Sequence, residues 1–391
     1  MPPKVLFITR RFWPLVGGAE TMIANLSAAL IARGGKAMIL TARWESTWPP
    51  EITHRGVRVV RLPHPPQRIW GTLRYMREIS RWLGDHRDQF DLAYVSQLKH
   101  DAYVAVRTGR KEKFPVVLRA TGGGELGDCH WHTIGRCGMR IRRETRRATA
   151  IVAPSAAIRD ELLAAGFPSS SAVLLPSGVP IGPAASPLRR QQARSTIAAA
   201  NAALSLGRST RLAVYTGRLH EGKGLTEVIS AWAQISSRHS DTRLWLVGEG
   251  PQHLAILQQI DALGLSGRVV LPGSFDSVDD VLAAADLFVL HSDSEGLSHA
   301  LLEAMAIGLP VVATDIPGNS AVIRDGVEGL LVRPRDVGAL TAAIETILTD
   351  PSRAAALGVA ARHRVQECFS LDRMVDAHLA LFERLVGAGQ S

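Results

Sequence analysis

The sequence predicts an α/β protein built of two doubly wound, Rossmann-like domains. Three observations carry that reading. Short apolar strands alternate with helical stretches; the alternation breaks at a Pro/Gly-rich stretch and restarts at Arg211; and 391 residues exceed one ordinary core. A hydrophobic share of 46% fits packed domains better than extended disorder.

The first strand is expected at residues 5–9, an apolar run that stops at Arg10-Arg11 and is too short for a signal-peptide core. A helix follows near 19–33, then strands at 37–41, 92–95, 116–119, 150–153 and 173–175. Pro176-Ser-Gly-Val-Pro180, with Gly182, Pro183 and Pro187, is the best linker by composition, which puts the domains at 1–178 and 179–370. The second series places strands at 212–216, 244–247, 268–271, 287–290 and 311–313. Two such domains are expected to face each other over a cleft. No run approaches the roughly 20 apolar residues that span a bilayer. Three cysteines fit a reducing cytoplasm rather than a disulfide framework.

The most informative stretch is Asp-Ser-Glu295-Gly-Leu-Ser-His-Ala-Leu-Leu-Glu303. It lies between two apolar strands and reads as a short loop entering a helix, a place where ligands of such sheets collect. Two carboxylates beside a helix N-terminus suit a ligand with sugar hydroxyls and a phosphate. Eight positions are slightly over two helical turns, so both acids are expected on one ligand. A second loop, Gly217-Arg218-Leu-His-Glu-Gly222-Lys223-Gly224, offers a forked donor and a point charge for a diphosphate. It is not a P-loop, because Gly224 stands where Ser or Thr is required.

Together with Val247-Gly-Glu-Gly-Pro251, Gly308-Leu-Pro-Val-Val-Ala-Thr314, Asp325-Gly326-Val-Glu-Gly329 and Gly17-Gly18-Ala-Glu20, these strings resemble retaining GT-B glycosyltransferases of family four. The carboxyl half matches closely and the amino half loosely. The resemblance implies the GT-B fold, two facing Rossmann-like domains with a cleft, and a final helix crossing back onto the first domain from about Leu371. It implies that Arg218 and Lys223 neutralise the donor diphosphate, that Glu295 contacts the donor sugar and that Glu303 holds the ribose. The amides of Gly296, Leu297 and Ser298 would bind sugar and phosphate oxygens, and the tract Pro272-Gly-Ser-Phe275 would receive the base. Gly17 and Gly18 would approach the diphosphate from the first domain. The implied reaction moves a sugar from a nucleoside-diphosphate sugar, commonly UDP-linked, to a hydroxyl acceptor. Bacterial-type polysaccharide or glycolipid synthesis is the expected setting. A nucleotide-sugar epimerase and a non-catalytic nucleotide-sugar-binding subunit are the alternatives.

One departure stands out. Many relatives place His-Gly after the strand at 116–119, where this chain has Thr121-Gly122-Gly123-Gly124-Glu125. Glu125, Asp128, His130 and His132 are therefore the acceptor-side candidates, without precedence among them. Gly122-Gly-Gly124-Glu-Leu-Gly127 satisfies the dinucleotide fingerprint formally, but Asp-Cys-His-Trp-His reads as a poor helix opening and the segment as a flexible loop. Cys129, His130, His132 and Cys137 match no common zinc spacing. Neither a metal nor a separate cofactor is expected, since the two cations can stabilise the leaving group.

The net charge is +9, and arginines crowd residues 136–147. Trp70, Leu73, Arg74, Arg77, Arg81 and Trp82 suggest a basic amphipathic helix with aromatic edges. An anionic membrane surface, at the inner face of the cell membrane, is the partner these features suggest, alongside a sugar or lipid-linked acceptor. No nucleic-acid motif accompanies the charge.

Overall fold

The structure is a computed structural model that describes residues 2–15, 17–64 and 68–387, leaving aside the side chains of residues 68, 69 and 126. The chain divides into two compact units, one running to Gly178 and taking in the segment from Leu371, the other Val179–Ser370. Each is a parallel-dominated sheet covered by helices.

In the first unit the strands are β1 (Lys4–Ile8), β2 (Lys36–Arg43), β3 (Glu51–His54), β4 (Val57–Pro63), β5 (Leu92–Ser96), β6 (Val116–Arg119), β7 (Ala150–Ala153) and β8 (Ala172–Leu174). Their order is β3-β4-β2-β1-β5-β6-β7-β8, with only the β3–β4 pair antiparallel. Strands buried on both faces read as continuous apolar runs, which is why β6 and β7 were visible in sequence at their full length. The β3–β4 hairpin was not anticipated. It turns through Arg55 and Gly56, both at positive φ, and its charged exposed positions break the apolar pattern. One face of the sheet packs on α1 (Gly18–Ala32) and the final helix, Leu371–Gly387; the other carries α2 (Arg68–Asp85), α3 (His100–Lys111), α4 (Asp128–Ile134) and α5 (Gly138–Thr145).

The final helix is held on the first sheet by a buried histidine. His378 lies between the Met374 carbonyl, 2.7 Å from Nδ1, and the Tyr94 hydroxyl, 3.2 Å from Nε2. With Nδ1 protonated, the ring donates to the carbonyl and accepts from the phenol. Burial, then the charge of Arg119, push its pKa down to about 4, against the opposing pull of the Met374 carbonyl. Because the folded value is below the unfolded 6.5, the unfolded chain takes the proton first. The contribution is therefore complete above pH 6.5 and is lost as pH falls toward 4, by at most about 3 kcal/mol. Urea unfolding between these pH values should show that slope, and His378→Gln should flatten it; an unaltered slope would remove His378 as its source.

In the second unit the strands are β9 (Arg211–Thr216), β10 (Thr242–Val247), β11 (Val269–Val270), β12 (Leu287–Leu290), β13 (Val311–Thr314) and β14 (Leu330–Val332), all parallel, in the order β11-β10-β9-β12-β13-β14. The order reverses between β9 and β12, so a crevice opens at the carboxyl ends of these two neighbours. Both lead into the loops singled out above. At the opposite end, the helix Pro187–Ala200 is tied to the start of β12 by Arg190 and Arg194, which pair with Asp286 at 3.1 and 2.8 Å.

Candidate functional site

Three loops at the carboxyl edge of the second sheet are fastened to one another. The loop after β12 donates the Asp293 amide to Gly222 O at 2.8 Å, joining it to the loop after β9. Gly224, with φ +61, lies so close to the His291 carbonyl that a Cβ would fall 1.9 Å from that oxygen. The loop after β13 supports the loop after β12 from behind. Thr314 Oγ1 donates to Ser292 O at 2.6 Å, and the Asn319 amide donates to Thr314 O at 2.9 Å.

On this platform Lys223 Nζ and Glu295 Oε1 meet at 2.6 Å, and the Ser292 hydroxyl donates to the same oxygen at 2.7 Å. Both members of the ion pair are largely covered, with side chains 24% and 13% exposed. Arg218, one turn of loop earlier, is exposed, and its carbonyl accepts from Tyr215 OH at 3.0 Å. Gly296 and Leu297 are buried, and Ser298 caps the helix His299–Ala306 by accepting from the Leu301 amide at 3.4 Å. Glu303 sits in the body of this helix. Burial, then the charge of Asp279, push its carboxyl up to about 7. Phe275 is half-buried against the core of this unit.

One correction concerns the pair of acids. The helix begins only at His299, so Glu295 lies in the preceding loop and Glu303 alone is helical. Their eight-residue spacing is therefore not two turns on one helical face. Glu295 is aimed by its ion pair and by Ser292 instead.

In the first unit, Gly17 takes extended backbone as the cap of α1, and Gly18 is its first residue. Asp-Cys-His-Trp-His, expected to be non-helical, forms most of α4. Asp128 explains why: its carboxylate accepts from the Leu98 amide at 3.1 Å and the Thr121 amide at 2.9 Å, pinning the glycine loop. His132 is fully buried, with Nε2 donating to Leu98 O at 2.7 Å. Both side chains are buried and bonded to backbone groups of the first unit. Glu125 is exposed and His130 half-buried. Among the described residues, no three His, Cys, Asp or Glu side chains come together as metal ligands.

The family model for glycosyl transferases group 1 matches residues 210–350, and that for glycosyltransferase family 4 matches residues 16–182. Together the two models support a family 4 glycosyltransferase-like protein. The enzyme is 28% identical to a GDP-mannose-dependent alpha-(1-6)-phosphatidylinositol monomannoside mannosyltransferase of Mycolicibacterium smegmatis, over 92% of this chain and 93% of that one. It is 36% identical to a lipopolysaccharide core biosynthesis glycosyltransferase of Rhizobium meliloti, over 42% of this chain and 47% of that relative. Among solved structures, Anabaena HepE in complex with UDP and glucose matches with a TM-score of 0.80 at 21% identity, covering 97% of this chain and 99% of that one. Sucrose-phosphate synthase from Thermosynechococcus elongatus matches with a TM-score of 0.81 at 22% identity, covering 99% and 100%. These structural likenesses show the GT-B fold.

Sequence reasoning on this glycosyltransferase missed a polar group at the carboxyl edge of its first sheet. Arg10 Nη2 donates to His64 Nε2 at 2.8 Å and to Thr72 Oγ1 at 3.0 Å, while Trp44 and His64 lie 4.5 Å apart, ring to ring. Beside them Arg10 Nε, Tyr75 OH and Asp101 Oδ1 are buried without a hydrogen-bond partner among the described residues. Burial pushes Asp101 up to about 6 against the lowering charge of Arg10. The signal available in sequence is Arg10-Arg11, directly after the apolar run of the first strand. A cavity of about 1100 Å³ also opens in the second unit, around Arg190, Arg194 and Asp286. It lies at the amino ends of the strands, where those arginines already bond Asp286 and the Ala284 and Ala285 carbonyls, whereas ligands of such sheets gather at the opposite edge.

Proposed function

We propose that this enzyme transfers a sugar from a nucleoside-diphosphate sugar, UDP-linked in the first reading, to a hydroxyl of a sugar or lipid-linked acceptor, with retention of anomeric configuration. Its setting in this reading is bacterial-type polysaccharide or glycolipid synthesis, in the cytoplasm at the inner face of the cell membrane. The observation that carries the reading is the Lys223–Glu295 pair, set in the loops next to the capped helix that bears Glu303. Breaking the C–O bond between the anomeric carbon and the diphosphate leaves negative charge on the diphosphate while the carbon gains positive charge. Lys223, Arg218 and the amides of Gly296, Leu297 and Ser298 oppose the first charge, and the Glu295 carboxylate favours the second. The acceptor hydroxyl forms the new C–O bond and gives up its proton to an oxygen of the departing diphosphate. No metal or further cofactor is part of the scheme. The edge of Arg10, His64, Glu125 and His130 is the acceptor side. A GDP-mannose donor is the second reading, favoured by the mycobacterial relative that matches nearly end to end.

Calorimetric titration with UDP and GDP tests both the base and the Glu303 assignment. Ribose hydroxyls donating to Glu303 favour its charged form, so nucleotide binding lowers a pKa that starts at about 7. Below that value, binding should release up to one proton, and affinity should rise with pH until it levels off above 7. Glu303→Gln should abolish the release. Binding without proton release near pH 6.5 would remove Glu303 from the ribose, and no binding of either nucleotide would remove the donor reading.

A further inference from the structure

We propose that the outward face of α2, α3 and α5 is a docking surface for an anionic lipid bilayer. The helix α2 buries Tyr75, Ile79, Trp82 and Leu83 against the first sheet. Trp70, Leu73, Arg74, Arg77 and Arg81 then follow at steps of three, four, seven and eleven residues, which is the opposite face. Trp70 is 77% exposed and Leu73 52% exposed. Neighbouring α3, packed against both α2 and α5, turns Arg107 and Arg110 outward. On α5, Ile141 and Thr145 are buried while Met139, Arg140 and Arg143 are exposed. Met139 and the arginines around it form a shallow basin of about 530 Å³. Just before α5, Ile134 is 70% exposed.

Three acids interrupt this surface: Asp85, exposed at the end of α2, and two that are engaged. Glu78 pairs with Arg81 at 3.3 Å, and Glu144 pairs with Arg110 at 3.2 Å and Arg147 at 3.4 Å. The remaining arginines have room for phosphate oxygens, which take forked donors well. Apolar side chains decide the partner. A nucleic acid would meet the arginines and leave Trp70, Leu73 and Met139 in water, whereas a bilayer takes the tryptophan at its interface and the aliphatic groups below it. Among the described residues no helix is long and apolar enough to cross a membrane, so the contact is a surface one. The inference deepens the proposed membrane-borne acceptor and rests on that reading only for its purpose.

The test is co-sedimentation of the full chain with vesicles of phosphatidylcholine alone and of an equal mixture with phosphatidylglycerol. Binding should favour the anionic vesicles by about tenfold or more and weaken as salt rises. Trp70→Ser with Leu73→Ser, and Arg74→Glu with Arg77→Glu, should each cut binding by about tenfold or more. These side chains are exposed, so nucleotide titration should be unchanged and reports that the variants are folded. Equal binding to both vesicles, or variants that bind like the parent, would overturn the proposal. A nucleic-acid competitor that displaces the parent, combined with a silent Trp70 variant, would also overturn it. Vesicle binding without sugar transfer would instead defeat the proposed activity and leave this surface standing.

Discussion

Alanine at Lys223 is expected to lower kcat by about 10²–10³, with a smaller effect on acceptor KM, if the lysine stabilises the departing diphosphate as other preorganised donors stabilise developing charge. Alanine at Arg218 should give a loss of the same kind. The two variants should differ in stability. Arg218 is exposed, and among the described residues its side chain makes no hydrogen bond or ion pair, so the melting temperature of its variant should hold. Lys223 is the partner of a largely covered carboxylate, and its loss leaves Glu295 Oε1 with the Ser292 hydroxyl among the described residues. A cost of about 1–2 kcal/mol is expected, below that of a fully buried pair because both side chains retain some solvent. Lys223→Arg is not expected to restore full activity, since a planar fork replaces a compact charge. Steady-state kinetics with thermal unfolding on each variant separates these effects. Unchanged kcat in both alanine variants would remove the diphosphate assignment.

The fold was legible in sequence because its central strands are short apolar runs with no competing pattern. The runs at β6, β7 and β12 end where the chain turns polar, and the structure ends them at the same residues. The β3–β4 hairpin escaped because Arg58 and Arg61 sit among its valines, and only pairing across the sheet shows which face they take. Helix α4 escaped for a tertiary reason: Asp128 is fixed by amides 30 and 7 residues away, which no local pattern reveals. At the site, the loop residues were readable as types, glycine beside cation and acid beside helix. Their contacts were not. Lys223 and Glu295 are 72 positions apart and meet only because β9 and β12 are neighbours in the sheet. The same adjacency corrects the idea of two acids on one helix, since it is the ion pair that orients Glu295.

Gly224 should tolerate no side chain. Gly224→Ala is expected to destabilise the second unit by about 3 kcal/mol or more, through two costs that add. The first is the left-handed backbone, φ +61, which a non-glycine residue adopts at about 1 kcal/mol. The second is contact: a Cβ would sit 1.9 Å from the His291 carbonyl oxygen, and no side-chain rotation moves either a Cβ or a backbone oxygen away. Gly264 separates the two costs. It has nearly the same φ, +65, at the end of the helix His253–Ala262, with nothing within 4 Å of a built Cβ. Gly264→Ala should therefore lose only the first, about 1 kcal/mol. The difference between the variants in urea unfolding measures the close approach of the two loops. That approach also sets where Lys223 stands, so Gly224→Ala should lower kcat even at temperatures where the protein remains folded. If both alanines cost the same, the loops do not pack as described, and the positioning of the ion pair by Gly224 fails with them.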